Sequence, residues 1–362
     1  MDAAIWNNFC RNRGRTNMNK LRIAVIGCGR IAEVYASAFE KLKDQCQIVL
    51  AVDKHLDRAE VFAGQFPGCI SSDKIEIQEL RTLLQECRPD VLHILLPHHL
   101  HCEYATVALE MGIPVLCEKP MDISLEAADR MIEAAKRGGT QLGIIFQNRY
   151  IDGVQRVRKL IQSGALGKVK GAFSTLNWHR PPSYYECDWK GRYATEGGGV
   201  VIDQAIHSID LVLYMTGLKA VRVQGHTARR VLKTIEVEDE ADAAITLENG
   251  AVYSFFACNY YTSNSMIRVE IDCENGTALL TFDKMEIRWR DGKEEVILPS
   301  TGSTEDVGEN YWGTFHEKQI ADFYEALREK RTVPWSPEDA RRTLEVVLGL
   351  YTSARTQSEI CL

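Results

Sequence analysis

The sequence predicts an α/β fold in which a doubly wound parallel sheet is followed by an α+β half with a mainly antiparallel sheet. Three observations predict it. From residue 21 to about residue 147, short continuous apolar runs alternate with amphipathic stretches, as in parallel sheets covered by helices on both faces. After about residue 148 the strands lengthen, and Asn-Gly and Asp-Gly dipeptides signal hairpins. No Gly/Ser-rich or Pro-rich linker separates the halves, so we expect them to pack closely and share a cleft.

Length and composition exclude several classes of protein. The 362 residues carry a formal net charge of −7, without the long basic run of a nucleic-acid or anionic-membrane binder. No apolar run reaches the length of a membrane span. The 11 cysteines form no C-x-x-C pair, which indicates a reducing, cytoplasmic location. We expect a flexible N-terminal extension at 1–20 and two domains at 21–147 and 148–362, with C-terminal helices that can pack back on the first domain.

The two halves differ in their order of predicted strands and helices. In the first half, buried strands are predicted at 21–26, 48–52, 91–95, 114–116 and 142–145, and helices at 31–43, 57–64, 76–86, 101–111 and 124–137. In the second half, hairpin turns are predicted at Asn249-Gly250, Asn275-Gly276 and Asp291-Gly292, and helices at 152–162, 199–215, 314–329 and 337–355. Because parallel strands end at one edge of their sheet, residues that follow the first-half strands should lie close together.

The first predicted strand ends in a G-x-G-x-x-A turn that opens a helix. Gly27 permits the tight turn, Gly29 lets the backbone approach a pyrophosphate, and Ala32 allows close packing of helix on strand. The helix N-terminus offers free N–H groups to the phosphates. Asp53 ends the second strand, where a carboxylate can accept both ribose hydroxyls of a dinucleotide and repel a 2′-phosphate. The pattern predicts NAD in preference to NADP, although the nearby Lys54 weakens that discrimination.

Two further motifs follow predicted strands of the first half. The stretch from Pro97 to His101 contains three histidines, but its neighbours do not provide the other ligands of a metal site, so we predict no metal. We expect this loop to border the cofactor instead. Glu118-Lys119-Pro120 follows the fifth predicted strand. A partly desolvated Lys119 there can stabilise a developing alkoxide, whereas the alternative is an ordinary surface lysine.

A glycine run at 197–199 leads into a predicted helix that carries polar side chains. On an α-helix, Asp203, His207 and Asp210 lie at i, i+4 and i+7 and form one polar stripe. Two interpretations stay open from the spacing alone. The stripe is either part of an active site or the solvated face of an ordinary amphipathic helix.

Together, these motifs resemble those of the glucose-fructose oxidoreductase, inositol dehydrogenase and MocA family, usually shortened to Gfo/Idh/MocA. The resemblance covers nearly all of the chain after residue 20. It rests on the Gly27 turn, the Glu118-Lys119-Pro120 triplet, the Gln147-Asn148-Arg149 stretch, and the glycine run followed by Asp203 and His207. It implies a Rossmann domain that binds a nicotinamide cofactor, and an open-faced sheet domain that covers it with the substrate between the two.

The resemblance also implies roles for individual residues. By the family's pattern, His207 takes the proton of a ring hydroxyl, Lys119 holds and polarises that oxygen, and Asp203 orients the pair. The chemistry agrees, because an alcohol gives up hydride readily only as its proton leaves, and a positioned acid or base contributes roughly 10² to 10⁴ in rate. The implied cofactor-binding residues are Gly27, Gly29, Arg30, Ile31, Asp53, Pro97, His101, Glu118, Lys119, Trp189 and Lys190.

The segment from Asn177 to Gly191 resembles a sugar-acting branch of the family, in which Trp-Arg commonly stands near the cofactor. Here Lys190 follows Trp189 in place of that Arg, and a lysine lacks the bidentate fork that favours phosphate. We expect the aromatic residues of this segment to stack on a sugar ring, although core residues would give the same pattern. The predicted substrate contacts are Asn148, Arg149, Trp178, Arg180 and Tyr185.

We therefore expect a cytoplasmic NAD-dependent dehydrogenase that reversibly oxidises a secondary hydroxyl of a sugar, glycoside or cyclitol, often C3 in similar sugar-acting proteins. Two alternatives stay open. One is an NAD-dependent glycosidase of similar fold that oxidises the sugar transiently, eliminates the aglycone and returns the hydride. The other is a non-catalytic protein that senses NAD or a sugar. Because an open sheet needs covering, we also expect a homodimer or homotetramer.

Overall fold

The computed structural model describes residues 20–298 and 315–362. These residues form a six-stranded sheet in the first half of the chain and a nine-stranded sheet in the second. The predicted α/β class is confirmed, as is the change from a parallel to a mainly antiparallel sheet. The predicted extension at 1–20 lies outside the described residues except for Lys20. Within the described residues, no helix has the length and apolar character that a bilayer-spanning segment needs.

The first sheet is parallel throughout, with the strand order β3-β2-β1-β4-β5-β6. Its strands are β1 (Leu21–Ile26), β2 (Cys46–Val52), β3 (Ile70–Ser72), β4 (Val91–Ile94), β5 (Val115–Cys117) and β6 (Leu142–Ile144). The sequence does not predict β3, because this edge strand has only 3 residues and two of them are serines. The strand order reverses between β1 and β4, and ligands of such sheets bind outside the carboxyl ends of the strands at that point.

Helices cover this sheet close to their predicted positions. They are α1 (Ala32–Lys41), α2 (Leu56–Ala63), α3 (Ile77–Cys87), α4 (His101–Glu110) and α5 (Leu125–Gly138). The bounds of α5 follow from local chemistry. The Ser124 hydroxyl accepts the N–H of Ala127 at 3.2 Å and caps the start of the helix, and Gly139 ends it in the left-handed conformation.

The second sheet has the strand order β14-β13-β12-β11-β7-β10-β9-β8-β15, and only its β7–β10 pair is parallel among the described strands. Its strands are β7 (Val169–Asn177), β8 (Ala220–Ala228), β9 (Glu240–Leu247), β10 (Val252–Cys258), β11 (Arg268–Cys273), β12 (Gly276–Thr281), β13 (Lys284–Trp289), β14 (Glu294–Ile297) and β15 (Ile360–Cys361). Asn249-Gly250 joins β9 to β10, and Asp291-Gly292 joins β13 to β14, as the hairpin signals predict. Gly276 differs, since it is already the first residue of β12.

The helices of the second half connect the two sheets. They are α6 (Asp152–Gln162), α7 (Tyr193–Glu196), α8 (Ile206–Thr216), α9 (His316–Glu329) and α10 (Pro337–Thr356). Helix α9 returns to the first sheet, where Phe323 and Tyr324 share a buried core with Ile23 and Val25 of β1. The predicted continuous helix at 199–215 is wrong in one respect. A π-helical turn at Val201–Ala205 precedes α8, and such wider turns are frequent at functional sites.

Candidate active site

The turn after β1 has the geometry of a phosphate cradle. Gly27 has φ +93°, and a Cβ there would lie 2.5 Å from the carbonyl oxygen of Leu95, so only glycine fits. At Gly29 a Cβ would meet no described atom within 4 Å, so the chain itself gives no steric reason for glycine. This open space lies in front of the N-terminus of α1, with Arg30 and Ile31 completing the turn. The cradle therefore fits the pyrophosphate of a dinucleotide.

Asp53 lies beside this turn, directly after β2. Its Oδ2 accepts the N–H of Cys28 at 2.7 Å, and its Oδ1 accepts the N–H of His55 at 2.9 Å. These bonds hold the carboxylate where an acidic residue accepts the ribose hydroxyls of NAD in this fold. The Lys54 ammonium is paired with Asp188 at 2.5 Å. This pairing offsets the positive charge of Lys54, which was expected to weaken the discrimination by Asp53 against NADP.

The loop after β4 contributes a residue that the predicted site omits. His98, which follows Pro97, has its Nδ1 2.8 Å from the carbonyl oxygen of Glu196 and its ring 4.9 Å from that of Trp189. His101, a predicted cofactor contact, is engaged within the protein. This buried ring has Nδ1 2.8 Å from the carbonyl of Pro120 and Nε2 2.8 Å from that of Leu96, so neither nitrogen is left for a cofactor.

Glu118 holds the loop after β5 rather than a ligand. Its Oε1 accepts the hydroxyl of Tyr35 at 2.8 Å and lies 3.1 Å from Nε2 of His316, and its Oε2 accepts the N–H of Lys119 at 3.3 Å. Burial alone raises the pKa of Glu118, but His316 and Lys119 hold it at about 2. Both carboxylate oxygens of Glu118, a predicted cofactor contact, are thus hydrogen-bonded within the protein. Glu118 helps to position Lys119 through the backbone N–H of that lysine. His316 comes from α9, a position that no sequence motif marks.

Lys119 and Asp203 meet between the two halves of the chain. The Lys119 ammonium donates to the carbonyl oxygen of Asp203 at 2.5 Å and lies 3.4 Å from its Oδ1. On the other carboxylate oxygen, Tyr184 and Lys190 donate at 2.7 and 2.8 Å. Burial opposes ionisation, but Lys190 and Lys119 outweigh it and hold the pKa of Asp203 well below its usual range. Asp203 is therefore a carboxylate clamped between two ammonium groups.

His207 lies on the first turn of α8, next to these charges. Its buried Nδ1 has no hydrogen-bond partner within residues 20–298 and 315–362, and its ring packs edge-on against Phe146. Burial and the charge of Lys119 lower the pKa of His207 to about 3. The imidazole is therefore neutral near pH 7 and able to accept a proton.

The glycine run is placed by a residue outside every recognised motif. A Cβ at Gly199 would lie 1.9 Å from the carbonyl oxygen of Glu238, so the chains approach too closely for any side chain. The Glu238 carboxylate accepts the N–H groups of Gly199 and Val201 at 2.8 and 3.1 Å, and the hydroxyl of Tyr351 at 2.8 Å. These bonds position the π-helical turn that carries Asp203.

The polar stripe predicted from helical spacing does not form one site. Asp210 is buried and binds Arg149, with Nε–Oδ2 at 2.8 Å and Nη2–Oδ1 at 2.5 Å. Because Asp203 lies in the π-helical turn, it does not have the i, i+4, i+7 relationship to His207 and Asp210 that an α-helix would give. The guanidinium of Arg149, a predicted substrate contact, is therefore engaged in a buried ion pair with Asp210. Its neighbour Asn148 is also buried, in a 3₁₀ turn.

The other predicted substrate residues lie on the segment before α7. The Arg180 guanidinium carbon lies 4.6 Å from the Trp178 ring and 5.2 Å from the Tyr184 ring. The Tyr185 hydroxyl accepts the side-chain N–H of Asn259 at 2.6 Å. Trp189 packs on His98, whereas Lys190 turns towards Asp203 instead of presenting its ammonium to a phosphate.

This segment crosses the carboxyl edge of the first sheet. Tyr184 lies over the guanidinium of Arg30 at 5.8 Å, Asp188 pairs with Lys54, and Trp189 contacts His98. Of these residues, Arg30, Lys54 and His98 follow β1, β2 and β4, respectively. Residues from both halves of the chain therefore surround Lys119, Asp203 and His207. A neutral imidazole, an ammonium and a carboxylate placed together can deprotonate an alcohol and stabilise its oxygen.

Comparison with protein families matches both halves of the chain. Residues 21–146 match the family model described as an oxidoreductase family with an NAD-binding Rossmann fold. Residues 154–279 match the model of the GFO/IDH/MocA C-terminal domain. The two matches cover the phosphate turn, Asp53, Lys119, Asp203 and His207.

Individual proteins resemble the chain over much of its length. The D-glucoside 3-dehydrogenase of Escherichia coli (strain K12) is 27% identical over 247 residues, which is 64% of this chain and 68% of that protein. The scyllo-inositol 2-dehydrogenase (NAD(+)) of Bacillus subtilis (strain 168) is 25% identical over 350 residues, 93% of this chain and 95% of that protein. The crystal structure of the WlbA dehydrogenase from Bordetella pertussis in complex with NADH and UDP-GlcNAcA shares the fold, with a TM-score of 0.83, 23% identity and coverage of 96% of this chain and 99% of that one.

Proposed function

This chain belongs to the Gfo/Idh/MocA family of NAD-binding oxidoreductases, and from that premise we propose that it reversibly oxidises a secondary hydroxyl of a sugar, glycoside or cyclitol to a ketone. The observation that carries the proposal is the convergence of Lys119, Asp203 and His207 in one cleft. We assign the cofactor to residues 21–147 and the substrate to residues 148–362. Relatives named for a glucoside and for an inositol support this choice of substrate.

Bound NAD would supply the acceptor for the hydride that leaves the substrate carbon. The phosphate cradle at Gly27 and Gly29 and the carboxylate of Asp53 would hold NAD. The open space at Gly29 supports this assignment, because it leaves room for the pyrophosphate. The cofactor-binding group of this proposal also contains Arg30, Ile31, Pro97, His98 and Trp189, which line the same edge of the first sheet. Lys190, His101 and Glu118 are not in it, because their polar atoms are bound by the protein.

In the proposed mechanism, His207 takes the proton of the substrate hydroxyl. Its lowered pKa of about 3 keeps the ring neutral, so that a ring nitrogen has a lone pair to accept the proton. Lys119 donates a hydrogen bond to the same oxygen and stabilises its developing negative charge. Asp203 anchors Lys119 through its carbonyl oxygen at 2.5 Å, which fixes the direction in which the ammonium points. In the reverse reaction the same groups return the proton to the alkoxide oxygen.

The substrate pocket of this proposal is lined by aromatic rings. Trp178, Tyr184 and Tyr185 lie on the segment that crosses the cleft, and Arg180 lies against the first two. Flat apolar rings beside charged donors are suited to the mixed faces of a sugar or cyclitol. One relative is named a D-glucoside 3-dehydrogenase, and we therefore choose C3 as the first position to test.

The test is absorbance at 340 nm while sugars, glycosides and inositols are added to the purified protein with NAD. We expect NADH and a ketone product with at least one class of substrate, and loss of that activity by about 10² to 10⁴ in Lys119→Ala and His207→Ala with NADH binding retained. A free sugar released from a glycoside without net NADH would identify the NAD-dependent glycosidase instead. NADH binding without conversion of any substrate, or wild-type turnover in both variants, would refute the proposal.

We further propose that the protein is a homodimer or homotetramer of the cytoplasm. The outward face of the second sheet exposes Phe173 and Val252, whose side chains are 38% and 46% exposed, on the central strands β7 and β10. The opposite face of that sheet is covered by α6 and α8. A second copy of the sheet would bury these two apolar side chains. The ten cysteines within the described residues are unpaired, in keeping with a reducing compartment.

A further inference from the structure

Lys190 occupies the place where the family resemblance implies a contact with the cofactor, but its ammonium binds inside the protein. Nζ lies 2.8 Å from Oδ2 of Asp203, 2.8 Å from the hydroxyl of Tyr184 and 3.5 Å from Oε1 of Glu196. The side chain is only 13% exposed. Lys190 is therefore a fixed cation inside the catalytic cleft, and the mechanism above gives it no task.

The two lysines that flank Asp203 hold different parts of it. Lys190 donates to Oδ2 at 2.8 Å, together with the hydroxyl of Tyr184 at 2.7 Å. Lys119 makes its short bond to the backbone carbonyl and lies 3.4 Å from Oδ1. Because attraction falls with distance and a contact of 3.4 Å is a poor hydrogen bond, the carboxylate neutralises Lys190 more completely than Lys119.

We propose that Lys190 is a positioning residue for the alcohol oxidation, which holds Asp203 by Oδ2 and thereby leaves the Lys119 ammonium available to the substrate oxygen. The inference rests on the proposed function, in which Lys119 donates to that oxygen. Without Lys190, the carboxylate turns towards Lys119 and closes a full ion pair with it. A neutralised ammonium stabilises a developing alkoxide less well.

Among the groups around Asp203, Lys190 is the main competitor of Lys119 for the negative charge of the Asp203 carboxylate. Burial raises the pKa of Tyr184 to about 12, so this hydroxyl remains a donor. Burial also raises the pKa of Glu196 to about 8, so Glu196 does not replace Asp203 as the anion for Lys190 near neutral pH. The titratable and charged groups that face Asp203 are His98 after β4, Lys119 after β5, Tyr184, Tyr185 and Lys190 before α7, Glu196 at the end of α7, and His207 on α8.

The first experiment needs neither cofactor nor substrate. Lysines are dimethylated with ¹³C-formaldehyde, and the Lys119 signal, assigned with Lys119→Arg, is titrated by NMR. In Lys190→Met we expect the titration midpoint of Lys119 to rise by about one pH unit, because Asp203 now pairs with it fully. Lys190→Arg, which keeps the charge, should restore the wild-type midpoint. Lys136→Met, which removes a surface lysine paired with Glu133, is the matched control.

The second experiment is kinetic. We expect Lys190→Met to lower kcat by roughly 10- to 100-fold while KM for the alcohol and the Kd for NADH stay within about twofold, and the pH dependence of kcat to shift together with the NMR midpoint. Tyr184→Phe removes a second close donor to the same oxygen, leaving the longer bond of 3.4 Å from Gln204, and should lower kcat several-fold. The double variant should be no slower than Lys190→Met, because both groups act through Asp203. If Lys190→Met does not fold, Lys190→Gln takes its place.

Two results would overturn the inference. One is a Lys190 variant with the wild-type kcat, pH profile and Lys119 midpoint. The other is a more than tenfold loss of NADH affinity with an unchanged Lys119 midpoint, since Lys190 would then act on the cofactor. Failure of the proposed function is distinguishable from both. If the wild-type protein oxidises no sugar, glycoside or cyclitol, the NMR titration still decides whether Lys190 controls Lys119.

Discussion

The carboxylate of Glu238 accepts the backbone N–H of Gly199 at 2.8 Å, across 39 residues of the chain. The same carboxylate also accepts from Val201 and Tyr351, so a buried acid just before β9 holds the start of the turn that carries Asp203. The position of the Asp203 carboxylate thus depends on a second carboxylate, to which the proposed mechanism gives no chemical role.

Glu238 should make the stability of the protein depend on pH. Burial raises its pKa from 4.5 to about 7. Because the folded-state pKa is the higher one, the group favours folding below about pH 4.5, and this contribution is lost as the pH rises through about 7. We expect the free energy of unfolding to fall through this group by on the order of 1–3 kcal/mol over that range, and Glu238→Gln to lack the slope. Urea denaturation at several pH values checks this, with exposed Glu126→Gln as the control; equal slopes in all three proteins would contradict it.

The Arg149–Asp210 pair should be structural. Its side chains are 4% and 2% exposed, so Arg149→Met leaves an unpaired buried carboxylate. We expect a loss of about 3–5 kcal/mol in the free energy of unfolding, and recovery of much of it in the double variant Arg149→Met/Asp210→Leu. Chemical denaturation measures the loss, and KM below the melting temperature tests for a substrate contact. A KM raised tenfold in a stably folded Arg149 variant would restore the substrate role.

Asp53 should control the affinity for NAD. Its carboxylate can offer charge-assisted bonds of about 1.5–3 kcal/mol to the ribose, and it also holds the N–H groups of Cys28 and His55. We expect Asp53→Ala to weaken NADH binding tenfold or more, as measured by the fluorescence of bound NADH. Glu60→Ala, on the exposed side of α2, is the matched control. An unchanged affinity in Asp53→Ala would remove this residue from the cofactor site.

Phe173 should lie in the interface between copies of the chain. Phe173→Asp places a charge at the centre of the outward face of the second sheet, opposite Ser254 and Glu270 of the neighbouring strands. We expect the molar mass measured by light scattering to fall towards that of a monomer. Val61→Asp, at a position that is 74% exposed on α2, should leave the mass unchanged. A monomeric wild-type protein would contradict the proposal.

Most elements follow from local patterns. Buried apolar runs locate β1, β2, β4, β5 and β6 to within a few residues, because burial on both faces leaves few polar positions in the strand. The π-helical turn at Val201–Ala205 was not predictable, because apolar spacing does not distinguish it from an α-helical turn. For the same reason, the helical spacing predicted Asp210 in one polar stripe with His207, whereas in the structure Asp210 forms an ion pair with Arg149.

The sequence by itself determined the fold class and the phosphate turn, because these depend on short runs of adjacent residues, and it predicted Lys119, Asp203 and His207 through the family resemblance. Only the tertiary structure decided which charges meet: Lys190 with Asp203, Arg149 with Asp210, and His316 with Glu118. The partner of a long charged side chain is set by packing between segments that are distant along the chain. No local pattern carries that information, and the electrostatics of the site depend on it.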